Sequence, residues 1–231
     1  MFRLVVFLPF IFLGCSTGFN RTEIAKELNS GPYEVVVNQS SRPVGADDIR
    51  AALALKPQLR FPMKLAIRLV PGSSSDWRWS GEDKGRLEAW GEKLRRDGVL
   101  SDVFFLSDAV VTGESLSDLR LASARHGADA LLVIQAAADL DRYLNPASIL
   151  YLTVAGYYFV PGSHADGLMI IRGAMYDVGN EYLYLTTEAE AEKKSWGPGA
   201  FVKDKDVLEQ AKHKALDGFG EELLQRMRAL R

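Results

Sequence analysis

The chain has 231 residues, 47% of them apolar, with 28 lysines and arginines against 30 aspartates and glutamates. A net charge near −2 provides no basic footprint for a phosphate backbone, which argues against nucleic-acid binding. Its one cysteine, Cys15, leaves no capacity for an internal disulfide, so burial of apolar surface has to hold the fold.

Met1-Phe2-Arg3 is followed by an apolar run from Leu4 to Leu13, then by Gly14-Cys15-Ser16-Thr17-Gly18. As a helix such a run covers roughly 15 Å, about half a hydrocarbon core, so it has the form of a secretory signal and not of a membrane span. Cys15 directly after Gly14 resembles the lipobox of bacterial lipoproteins, with Phe12 and Leu13 departing from its usual residues. The resemblance implies that residues 1–14 are removed and that Cys15 becomes the first residue, bearing a diacylglycerol on its thiol. Ser16 in place of an aspartate implies delivery to the periplasmic side of the outer membrane. Each buried methylene contributes about 0.8 kcal/mol, so two or more acyl chains hold where one is marginal.

Residues 15–62 read as a lipid-anchored tether carrying a short strand, Tyr33 to Val37, and a helix, Ala46 to Lys56, with Ile49, Ala52 and Leu53 on one face. Residues 63–231 read as the domain proper. Met63 to Val70 alternates as a strand with one buried face. Glu82 to Arg96 has acidic residues early, basic residues late and Gly98 as its stop, which predicts a helix with Leu87, Trp90 and Leu94 inward. A strand follows at Asp102 to Leu106. Ser115 to Asp118 forms a capping box that opens a helix ended by Gly127. Ala130 to Ala138 is apolar enough for a central strand covered on both faces.

Ile149 to Val160, Leu168 to Val178 and Tyr182 to Glu192 predict an antiparallel meander, its last turn a two-residue hairpin at Gly179-Asn180 with the glycine at positive φ. For residues 149–160 two other readings stay open: a helix capped by Asn145 with Pro146 at its first position, or a membrane-inserted β-strand. From Asp204 to Leu230, Leu208, Ala211, Ala215, Phe219, Leu223 and Met227 recur at helical steps. The whole predicts an α/β fold: a single α/β sandwich with a mixed sheet, a late antiparallel meander and a long C-terminal amphipathic helix.

Two short stretches, His126-Gly127-Ala128-Asp129-Ala130 and Tyr176-Asp177-Val178-Gly179-Asn180-Glu181, resemble a domain shared by curli-secretion lipoproteins, the amino-terminal domain of TolB proteins, and lipoproteins that activate peptidoglycan synthases. In that group a Gly-Ala-Asp step enters the central strand and an Asp-Val turn joins two late strands; the glycine of the turn stands one place early here. Gly127 suits a left-handed helix cap, and Asp129 can accept from nearby backbone amides. The resemblance implies a binder or assembly factor with no catalytic residue to carry over.

The remaining candidates have plainer readings. His126, His164 and His213 stand in separate elements without metal-ligand spacing, and His126 and His213 read as helix-surface groups. Glu188, Glu190 and Glu192 share a strand face and read as a solvated outer surface instead of an acid–base pair. Trp77 and Trp79, in the polar loop Pro71 to Gly81, read either as packing against the domain or as an exposed contact for a partner or the lipid headgroup zone. The expectation is therefore a non-catalytic outer-membrane lipoprotein, without cofactor or metal, held to the membrane by its lipid and binding another envelope protein. The alternative is an oligomeric secretion channel of the curli type that inserts a β-hairpin; an envelope hydrolase stands third.

Overall fold

The computed structural model describes residues 18–29, 45–72, 77–111, 113 and 115–231. Cys15 and the strand expected at Tyr33 to Val37 lie outside the described residues. Two short helices come first, α1 (Arg21–Asn29) and α2 (Ala46–Ala54), followed by β1 (Met63–Leu69), α3 (Gly81–Arg96), β2 (Leu100–Phe105), α4 (Leu116–Arg125) and β3 (Ala130–Leu144). A 3-10 helix (Pro146–Leu152) and α5 (Val154–Phe159) then lead to β4 (Ser163–Asp177), β5 (Leu183–Gly197) and α6 (Asp204–Ala229).

The five strands form one mixed sheet in the order β2-β1-β3-β4-β5; β1 is parallel to β2 and β3, and β3, β4 and β5 form the antiparallel meander. Alternate residues of each strand face opposite layers. Leu65, Ile67, Leu132, Ile134, Met169 and Ile171 meet α3 and α6 on one face. Ala66, Leu131, Val133 and Tyr176 meet α4 on the other. This is the α/β sandwich expected from the pattern. Because β1 is flanked by strands and covered on both sides, almost all of it is buried, not only the one face its alternation suggested.

β3 and β4 are each 15 residues long, while β1 pairs β3 only from Ala130 to Ile134. The far halves of β3, β4 and β5 thus extend beyond the parallel strands. There α1 closes one face, with Ile24 and Leu28 packed on Ala137, Leu168 and Ile170. Within the stretch read as a tether, Ile24 and Leu28 therefore belong to the core. The helix expected from Ala46 stops at Ala54, and its Ile49 and Leu53 are exposed, so the shared face covers nothing among the described residues.

Ile149 to Val160 is not a strand of the meander. Pro146 cannot donate to a ladder, and Asn145 Oδ1 accepts from Ala147 N at 3.0 Å, which starts a 3-10 turn. Thr153 then caps α5 by accepting from Gly156 N at 2.9 Å. The helix reading is the one that holds, and the hairpin that a curli-type pore would insert from this segment is not formed.

The β4–β5 turn also differs from expectation. It spans residues 178–182, and its left-handed residue is Glu181 at φ 66, not Gly179. Asp177 Oδ1 accepts from Gly179 N at 2.7 Å and Asn180 N at 3.0 Å, a side-chain turn that replaces the tight two-residue hairpin. Asn180 Nδ2 donates to Lys56 O at 2.8 Å. The Tyr184 hydroxyl donates to Asp177 Oδ2 at 2.6 Å and accepts from Gln58 N and Leu59 N, which clamps the strand's approach to β1. Burial, and then Asp177, push the Tyr184 hydroxyl up to about 12. Tyr184→Phe leaves two backbone amides and a buried carboxylate short of a partner. It is expected to destabilise by about 1–3 kcal/mol and to speed amide exchange at Gln58 and Leu59.

At the entry to β3, Gly127 takes φ 70 after the C-cap of α4. Asp129 Oδ2 accepts from Lys64 N at 2.7 Å, while its own amide donates to Lys64 O, so the Gly-Ala-Asp step sets the register of β3 on β1.

Candidate functional site

An exposed apolar feature is built where β3, β4 and β5 end together. The excursion between Leu144 and Ser163 leaves the sheet, and its caps keep its backbone paired while its side chains point outward. Leu152 is 90% exposed, Phe159 81% and Val154 80%, with Ile149 and Leu150 beside them. Trp196, near the end of β5, and Phe201, just before α6, are each 66% exposed and border the same end. Tyr157, Tyr158 and Phe201 form a run of edge-on rings, centroids 5.7 and 6.3 Å apart.

This shelf is rigidly seated. Tyr151 packs edge-on to Tyr157, and its hydroxyl accepts from Gly162 N at 2.8 Å. Asn145 Nδ2 donates to Pro161 O at 2.9 Å, closing the neck of the excursion. Large apolar groups held outward on a braced scaffold are the signature of a contact surface.

The described chain starts beside that shelf. Gly18 N donates to Asp141 Oδ2 at 2.9 Å and Asn20 N to Asp139 Oδ2 at 2.6 Å, so residues 20 to 18 run along β3 toward Asn145. Arg21 grips Glu190 through both guanidinium nitrogens, at 3.0 and 2.7 Å. The hydrogen bond from Arg21 holds the Glu190 carboxyl below the usual carboxylate range. Glu188 pairs with Arg172, and Glu192 lies 3.9 Å from Lys194. The three glutamates keep the solvated strand face expected of them, and each also has a cation beside it.

Trp77 is buried, 5% exposed, and its ring meets Trp79 edge-on at 5.5 Å. Trp79 Nε1 donates to Val70 O at 2.8 Å. Packing against the domain is therefore what the structure shows for Trp77, whereas Trp79 is half-buried at the border of two grooves. One, of about 530 Å³, runs past Arg68, Lys84 and Phe105; the other, of about 680 Å³, runs past Leu140, Asp204 and Leu208.

Behind this loop lies a cluster absent from the sequence-level candidates. Lys212 and Asp83 are both fully buried, with Nζ 2.8 Å from Asp83 Oδ2, 2.8 Å from Glu209 Oε1 and 3.1 Å from Arg78 O. All three ammonium donors are used. Asp83 Oδ2 also accepts from Ser80 N and Oγ, so one carboxylate caps α3 and neutralises α6. His213 is half-buried on the helix surface, with its Nε2 enclosed 3.4 Å from Glu209 and 3.8 Å from Asp83 Oδ1. Asp83, Glu209 and His213 bring their ligand atoms within 4.8 Å of one another, the geometry from which a cation site is made. Here the Lys212 ammonium already lies between the two carboxylates, and the group reads as an ion cluster that ties the Trp77–Trp79 loop to α6. The sequence signal was Lys212 itself, four residues after Leu208 on the apolar stripe.

Among the described residues no helix is long and apolar enough to cross a membrane. No family model matches the chain, and no curated protein does. Several solved structures align with much of this chain. A minor lipoprotein from Acinetobacter baumannii is 13% identical, covering 73% of this chain and 92% of that one at a TM-score of 0.35. A lipoprotein from Neisseria meningitidis is 12% identical, covering 69% and 99% at 0.35. A neuraminyllactose-binding hemagglutinin homolog from Helicobacter pylori is 11% identical, covering 73% and 89% at 0.42.

Proposed function

We propose that this protein is a non-catalytic lipoprotein, anchored through Cys15 on the periplasmic side of the outer membrane, that works by binding other components of the envelope. The observation that carries the reading is the apolar shelf: an uncharged, braced surface of outward-pointing Leu, Val, Phe and Tyr side chains suits binding. The anchor at the head of the chain and the contact surface on the domain are the two parts such a protein needs.

Density-gradient separation of cell membranes tests it. The natural protein is expected in the outer-membrane fraction, and Cys15→Ser is expected to leave that fraction. Recovery of the natural protein outside the membranes, or an unchanged outer-membrane position for Cys15→Ser, would overturn the proposal.

A further inference from the structure

What covers the shelf follows from its composition and from where the chain enters the domain. No acidic or basic residue occurs from Asn145 to Ser163. Aliphatic side chains lead, at Leu152 and Val154, and rings with polar tips stand beside them, at Tyr157, Tyr158 and Trp196. That is the order of side chains found where a protein meets a bilayer: aliphatic groups among the upper acyl carbons, amphipathic rings at the headgroups. Lys203, exposed two residues from the aromatic Phe201, adds a cation at the margin, the complement of anionic headgroups.

The second argument is reach. Gly18 is fixed at Asp141, and Cys15 lies three residues before it. Three residues of extended chain span at most about 11 Å. From Asp141 to Asn145, where the shelf begins, four residues of β3 span roughly 13 Å. A bilayer that holds acyl chains on Cys15 therefore passes within one short segment of the shelf.

We infer that the shelf lies against the leaflet carrying the protein's own anchor, so that Leu152, Val154 and Phe159 enter the membrane and fix the domain's orientation on it. The inference rests on reading Cys15 as the lipid-bearing residue, and it makes the leaflet itself the envelope component that the shelf binds. It gives the membrane a second point of contact, and a single orientation, where a lipid anchor alone would let the domain turn freely.

The test uses full-length acylated protein, reconstituted by its anchor into vesicles of phosphatidylethanolamine and phosphatidylglycerol with and without bromine on the acyl chains. Two variants each add one thiol: Phe159→Cys on the shelf, and Ala124→Cys, exposed near the end of α4 at the opposite end of the sheet. With the Cys15 sulfur in thioether linkage, an environment-sensitive fluorophore reacts only at the new site. The Phe159 label is expected to shift to the blue and to be quenched at least twofold by brominated lipid, while the Ala124 label is unaffected. If the protein floats with the vesicles but both labels are equally unquenched, the shelf faces away from the bilayer and serves a protein partner; the proposal falls and the anchor stands. If the protein does not float and Cys15 itself takes the fluorophore, the anchor reading falls and the proposal with it.

Discussion

Lys212→Met is expected to destabilise the domain by about 3–5 kcal/mol, because it leaves the fully buried Asp83 carboxylate without its counter-charge. At a urea slope of roughly 1–3 kcal/mol/M, the unfolding midpoint falls by more than about 1 M. Methionine fills nearly the same volume as the lysine stem, so packing changes little and the loss reports the charge. Removing both charges, as Asp83→Leu with Lys212→Met, is expected to cost less than the sum of the two single changes, since neither leaves an orphan behind. What remains is the cap of α3, about 1 kcal/mol, because Asp83 Oδ2 also serves Ser80, together with the loss of Lys212 from Glu209 and Arg78 O. Strict additivity would show that the two groups do not depend on each other. The same variant frees Arg78 O, so exchange of amides in the Trp77–Trp79 loop should rise with it.

Phe219→Ala is expected to cost a similar amount, about 3–5 kcal/mol, through the cavity it leaves. Phe219 is fully buried at the centre of α6 and lies over Gly173 of β4. The glycine is what lets the ring approach: a Cβ at residue 173 would stand 2.6 Å from Phe219 Cζ. Gly173→Ala is therefore expected to destabilise by about 1–3 kcal/mol through overpacking. Combining Gly173→Ala with Phe219→Leu should relieve part of the clash, and a thermal melt of the three variants reads the compensation. No compensation in the pair would mean that helix and sheet shift apart instead of interlocking.

The elements that stand on periodicity and caps were legible before the structure. The stripe on α6, the capping box at Ser115, and the apolar run of β3 each have a local cause that the fold does not override. The elements that depend on distant partners were not. α1 is nine residues long and too short to be stable alone; it exists because Ile24 and Leu28 find Ala137, Leu168 and Ile170, and because Arg21 finds Glu190, which sequence spacing does not reveal.

For the shelf, apolar content and length favoured a strand, and the decisive residues were Asn145, Pro146 and Thr153, which turn the backbone into helix. Its exposure was invisible, since apolar residues in sequence look alike whether buried or offered outward. Lys212 was hidden for the opposite reason: a lysine beside an apolar stripe reads as solvated until Asp83, far away in the chain, is brought under it. Gly179 carried the expectation of positive φ that Glu181 fulfils, because Asp177 supplies the turn's hydrogen bonds from its side chain.

The central proposal is the anchor at Cys15, and mass spectrometry of the amino-terminal peptide from detergent-extracted protein tests it most directly. The predicted result is a peptide that begins at Cys15 and carries a diacylglyceryl group on its sulfur. A peptide that begins at Met1, or one that holds Cys15 as a free thiol, would contradict it.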